Sequence, residues 1–153
     1  MDIFQAIRDD DPVLLREILV HEPNAISARD ARGSTPLVLA TYLGNLAATR
    51  LLLAAGADPD LTDAMGNSAL MGVVFKDNAA AATLLLDGGA NPDLRGGHGG
   101  TALTFAARFN RCELAELLLA RGADPRVTDN DGLTAVYHAR SNGFEELAEL
   151  LER

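Results

Sequence analysis

The stretch LRGGHGGTAL, residues 94–103, holds four glycines and a histidine ahead of an expected helix. A glycine-rich loop before a helix is one way in which proteins cradle phosphate on backbone N–H groups. The run Gly96-Gly97-His98-Gly99-Gly100 lacks the remaining parts of such a site. No Lys-Ser or Lys-Thr pair follows it, as a nucleotide loop needs, and no strand of a βαβ unit precedes it. The other reactive side chains are scattered. His21, His98, His138 and Cys112 have no spacing that suits zinc. No G-x-S-x-G elbow occurs. Asp9-Asp10-Asp11 lacks the alternating ligands of a calcium loop and reads as a solvated turn before Pro12. Cys112 is expected to be a half-buried, inert thiol, and His138 a packed residue on a helix. Glu145, Glu146 and Glu149 fall on the last helix and read as a solvated cap. No acid–base pair stands out, so the chain is expected to be non-catalytic, with no cofactor and no metal.

Composition narrows the remaining classes. Among 153 residues, 13 are basic and 22 acidic, a formal charge of −9. Surplus negative charge opposes binding to nucleic acid and to anionic lipid. Only a local stripe through Arg32, Lys76 and Arg108 could override it. No apolar run reaches the 18 or more residues of a membrane helix, and the opening MDIFQAIRDDDP has no signal-peptide pattern. One cysteine fits a reducing compartment. A cytoplasmic location is therefore expected, and arginine usage of twelve against a single lysine points to a GC-rich bacterial source. With 48% hydrophobic but only 5% aromatic residues and no Trp, the core should be aliphatic and small.

These residues must be positioned by a repeat. STPL ends at Leu37, NSAL at Leu70, GTAL at Leu103 and LTAV at Val136, a constant offset of 33 residues. GADP at Gly56, GANP at Gly89 and GADP at Gly122 keep the same period, as do the triplets beginning at Leu51, Leu84 and Leu117. Within one unit, Thr35 is a helix N-cap and Pro36 suits the first helical position. Leu37, Ala40 and Thr41 share one face. Gly44, Asp77, Asn110 and Gly143 stop the first helices, since all three residue types tolerate the left-handed conformation. A second helix, near 46–54, carries Leu51 and Leu52 inward and ends at Gly56. A turn follows, with Gly33, Gly66, Gly99 or Gly132 as its flexible point. The first 29 residues follow the pattern loosely. Phe4 stands for Leu37, Ile18-Leu19 for Leu51-Leu52, and Pro23 for Gly56. A helix–helix–turn unit cannot bury its own apolar face, so units must stack.

The motifs DARGSTPLVLAT with LLLAAGADPDLT, DAMGNSAL with LLLDGGANPDL, TALTFAA with LLLARGADP, and DNDGLTAV resemble the ankyrin repeat. The resemblance implies an all-α repeat solenoid of five stacked repeats (1–29, 30–62, 63–95, 96–128 and 129–153) in one domain over 1–153, with β-hairpin turns projecting at right angles to the helices. Two departures stand out. Val38, Met71, Thr104 and Tyr137 replace the usual histidine, and Val73 replaces the small residue at the Ala40 position, so the third repeat is expected to pack less well. Aligning ARDARGSTPL, LTDAMGNSAL, LRGGHGGTAL and VTDNDGLTAV makes the glycine run the turn of the fourth repeat. Gly99 is then the required glycine. Gly96 replaces an aspartate and loses its hydrogen bond to the local backbone, while Gly97, His98 and Gly100 fall at surface positions. This turn is expected to be the most mobile.

Stacking uses up the helix faces between repeats and leaves the concave side of turn tips and first helices. Family resemblance places the partner in that groove. The candidate partner-binding residues are Arg32, Tyr42, Leu43, Met65, Phe75, Lys76, His98, Arg108, Phe109 and Asp131. Tyr42, Leu43, Phe75 and Phe109 are large and apolar where water is expected, and a row of such residues marks an interaction site. The expected function is a protein–protein interaction module and monomer. The alternative is a dedicated inhibitor or immunity protein that neutralises a basic enzyme.

Overall fold

The structure, a computed structural model, describes residues 2–153. Ten α-helices and one short 3₁₀ turn, Pro23–Ser27, make up its regular structure. In chain order the helices are α1 (Ile3–Arg8), α2 (Pro12–His21), α3 (Pro36–Tyr42), α4 (Leu46–Ala54), α5 (Ala69–Phe75), α6 (Ala79–Asp87), α7 (Ala102–Arg108), α8 (Cys112–Ala120), α9 (Ala135–Ser141) and α10 (Glu145–Glu152). Consecutive helices pack in pairs, from α1 with α2 to α9 with α10. Pairs then stack side by side: first helices form the row α1–α3–α5–α7–α9, and second helices the row α2–α4–α6–α8–α10. This is an all-α solenoid with one continuous core.

Local chemistry accounts for the helix boundaries. The Val38 N–H donates to Thr35 Oγ1 (3.2 Å), Met71 N–H to Ser68 Oγ (3.2 Å) and Tyr137 N–H to Thr134 Oγ1 (3.3 Å), each relieving an unpaired donor of the first turn. At α7 the N-cap Thr101 N–H donates to Thr104 Oγ1 (3.1 Å). The first helices end as expected, with positive φ at Gly44 (72°), Asp77 (59°), Asn110 (56°) and Gly143 (78°). Leu37, Ala40 and Thr41 are all buried.

The core refines several expectations. The middle leucine of each triplet, Leu52, Leu85 and Leu118, has no exposure, while Leu51, Leu84 and Leu117 are half-buried. Only one of the two leucines expected inside is therefore fully enclosed. The first pair departs from the 33-residue offset after α1, which is one residue shorter than α3. Ile18, with no exposure, consequently takes the place of Leu52, and Leu19 is half-buried. Val73 is fully buried despite its extra bulk. Its partner helix α6 opens with four alanines, of which Ala81 and Ala82 are also fully buried, and this leaves room for a β-branched side chain.

Between pairs the turns close tightly but form no β-strand among the described residues, a correction to the expected β-hairpins. In the second pair's turn the Asp30 N–H donates to Ser34 O and Gly33 N–H to Asp30 O, both at 3.0 Å. Neighbouring turns share isolated backbone bonds, Gly97 N–H to Gly66 O (3.2 Å) and Asn130 N–H to His98 O (3.0 Å), too few for a ladder, beside side-chain bonds from Arg29 to Thr62 O and from Asn130 Nδ2 to Gly97 O. Register along the stack is instead set below the second helices. Asp60 Oδ1 accepts from Asn91 N–H (2.9 Å), and Asp93 Oδ1 from Asp124 N–H (2.8 Å).

The end faces are solvated, as expected of caps. Glu145, Glu146, Glu149 and Glu152 of α10 are exposed while Leu147 and Leu151 are buried. On α2, Val13 and Val20 are exposed as well, so that end is less polar than its acidic residues imply.

Candidate functional site

Three turns are organised by an aspartate. Asp30 Oδ1 accepts from Arg32 and Ser34 N–H, Asp63 Oδ1 from Met65 and Asn67 N–H, and Asp129 Oδ1 from Asp131 and Leu133 N–H, all at 2.9–3.0 Å. In the fourth pair's turn Gly96 supplies no such acceptor, as expected. Met71 fills its place, with Sδ 2.9 Å from where a Gly96 Cβ would stand. A side chain at Gly97 would meet the Met65 carbonyl oxygen, and a Cβ at Gly66 would lie 2.6 Å from Gly97 N. The glycine run therefore lets two turns approach closely. The Gly96, Gly97 and Gly99 N–H groups already donate to Gly100, Gly66 and Gly96 carbonyls. Gly100, expected at the surface, is buried against Thr104.

The other singled-out residues have local roles. His138 Nε2 lies 2.7 Å from Asp129 Oδ2, with both side chains largely covered, so it braces the last turn against α9. Hydrogen bonds from the Leu133 N–H and from His138 hold the Asp129 carboxyl below the usual carboxylate range. Asp11 caps α2 by accepting from Leu14 N–H (3.0 Å), and Asp9 accepts from Gln5 Nε2 (2.9 Å). Cys112 is half-buried, and burial first, then the Glu146 and Glu116 charges, push its thiol up. No group of three or more potential metal-ligating His, Cys, Asp or Glu residues converges among the described residues.

On the face made by the first helices and the turns, the ends of α3, α5 and α7 and the turn tips enclose a socket of about 640 Å³. Tyr42, Phe75, His98, Arg108, Phe109 and Asp131, all expected at the groove, line it. Val38, Thr41, Asp63, Asn67, Met71, Gly72 and Phe105 add to its wall, with Ser68 and Ala69 at the start of α5. A second depression of about 600 Å³ shares Val38, Tyr42 and Asp63 with it and includes Arg8, Arg32, Leu43 and Met65. The two form one trough along the first helices of four pairs, α1, α3, α5 and α7. Lys76 Nζ sits 4.3 Å from the Tyr42 ring centroid, a cation–π contact at the trough edge.

Nine of the ten candidate residues line the two depressions, and Lys76 lies at their edge. Tyr42, Leu43, Met65 and Phe75 are exposed by 48%, 50%, 73% and 47%, but Phe109 is half-buried. Its ring meets Phe75 edge-on at 5.1 Å between centroids and lies 6.2 Å from Phe105. His98 stacks at 5.5 Å on Phe105. The basic stripe imagined through Arg32, Lys76 and Arg108 is interrupted by Asp63 and Asp131 in the same walls.

An ankyrin-repeat model matches the chain in three copies, over residues 3–96, 51–129 and 70–152. The chain belongs to the ankyrin repeat family. Among curated proteins, none matches it. Ankyrin repeats are generally protein–protein interaction modules and non-catalytic scaffolds. No helix among the described residues is long and apolar enough to cross a membrane.

Several trough residues lay outside the positions mapped by period, among them Val38, Thr41, Asp63, Met71 and Phe105, and two more, Arg8 and Gly72, are informative. Arg8 belongs to the first pair, which follows the period only loosely and yielded no mapped groove position. Gly72 stands in the column of Leu39, Phe105 and His138, where three large side chains alternate with none. That gap in one column was the available signal.

Proposed function

We infer that this ankyrin repeat protein binds a partner protein in the concave trough and performs no catalysis. The observation that carries this reading is the continuity of the trough. Exposed Tyr42, Leu43, Met65 and Phe75 lie along one surface rather than scattered, and isolated exposed hydrophobes would mean little. Phe75 and Phe109 form its aromatic centre, and aromatic anchors at the middle of an interface dominate binding energy. Phe75→Ala and Phe109→Ala are each expected to weaken a co-purified partner by about 2 kcal/mol while the fold persists. Because the two rings touch, the double variant should lose less than the summed losses. Calorimetry showing unchanged affinity in both single variants rejects the trough as the binding site.

A second reading, an inhibitor or immunity protein that neutralises a basic enzyme, rests on the net charge of −9. Charge-steered association slows as salt rises. An association rate independent of ionic strength removes that reading and leaves an uncharged or locally paired contact.

A further inference from the structure

Gly72 has no structural reason to be glycine. It lies inside α5, its φ is not positive, and nothing stands within 4 Å of where its Cβ would be. A glycine inside a helix is less favourable than alanine, because it loses more backbone freedom on folding. Leu39, Phe105 and His138 occupy the same column in the neighbouring helices, each half-buried. The missing side chain therefore removes material from the floor of the trough, and Gly72 borders the socket beside Phe75, Phe105 and Phe109. One large apolar side chain from outside fits that chemistry.

Charge at the rim completes the picture. Arg108 lines the socket, is exposed, and its guanidinium makes no ion pair or hydrogen bond among the described residues. Of the nearby carboxylates, Asp63 already accepts two turn N–H groups. The trough holds Arg8, Arg32 and Arg108, with Lys76 at its edge, against Asp30, Asp63 and Asp131. The trough thus carries a slight basic surplus in a chain whose overall charge is −9. Arginine beside an aromatic pocket suits a carboxylate neighbour to the apolar anchor. Continuity with the second depression favours an extended segment over a compact small molecule.

We propose that the Gly72 notch and Arg108 form a specificity pocket for a partner-protein segment bearing a large apolar side chain next to an acidic residue. This rests on the trough being the binding surface. The test is selection of a phage-displayed random peptide library on the full chain, followed by anisotropy titration of the synthetic consensus peptide. The expected consensus is Phe, Trp, Leu or Met flanked by Asp or Glu. Gly72→Leu, which fills the notch, and Arg108→Glu should each lower affinity about tenfold or more. Exchanging the peptide's acidic residue for lysine should restore binding to Arg108→Glu. Both variants should keep the wild-type circular dichroism, and Gly72→Leu should melt no lower than wild type.

A consensus flanked by Lys or Arg, or full affinity in Gly72→Leu, overturns the proposal. If those peptides still weaken with Phe75→Ala, the trough reading survives without the specificity pocket. Peptides indifferent to every trough variant, or a selection that yields no consensus, defeat both. Self-association abolished by Gly72→Leu in sedimentation velocity would make the occupant a second copy and also overturn the proposal.

Discussion

Asp129 shows how one side chain in this protein serves several neighbours. Its carboxylate accepts from two turn N–H groups and lies against His138 Nε2. All three contacts favour the charged form, so its folded pKa lies below its unfolded value. A carboxyl depressed in this way contributes stability that is fully present above the unfolded pKa, about 4. That contribution is lost as pH falls from there through the folded value. Asp129→Asn removes the titration. The wild-type Tm is therefore expected to fall more steeply than the variant's on acidification below about pH 4, by differential scanning calorimetry. Parallel curves would mean the carboxyl is unperturbed. At this scale the sequence was uneven as a guide. The aspartates of three turns and the exposure of Tyr42 and Phe75 followed from position in the period. The half-burial of Phe109 did not, because it comes from rings on two neighbouring helices.

Elements in this protein differ chiefly in their turns, since the helix pairs repeat closely. Asp30, Asp63 and Asp129 each hold two backbone N–H groups of their turn, and Gly96 holds none. Backbone bonds still tie this turn to both neighbours, through Gly97 to Gly66 and Asn130 to His98. The missing pair of side-chain bonds decides the expectation, because protection from exchange follows the local opening free energy. Amide hydrogen exchange at residues 97–100 should be faster than at the equivalent positions of the other three turns. Uniform protection across the four would show that the contacts between turns compensate. The periodic stop signals placed the helix ends well, whereas the hairpins implied by family resemblance do not develop strands. Their hydrogen-bonding groups are satisfied by side chains and single contacts instead.

As a whole, the molecule is a row of pairs that each contact only their neighbours, so stability accumulates interface by interface. Leu85, fully buried on the central α6, faces that row, while Leu43 is half exposed in the trough. Leu85→Ala is expected to cost about 2–5 kcal/mol in urea denaturation, and Leu43→Ala to stay within about 0.5 kcal/mol. Comparable losses in both would place Leu43 in the core and remove it from the binding surface. The 33-residue period by itself determined that the modules stack in chain order, because identical modules can share a core only in constant register, while the motifs within each period carried the resemblance to the family. Tertiary structure alone decided where the trough deepens, which rings lean on one another and which charges find partners. Those features arise between modules, from the side chain that Gly72 lacks and the partners that Arg108 does not meet, and no single period of the chain contains them.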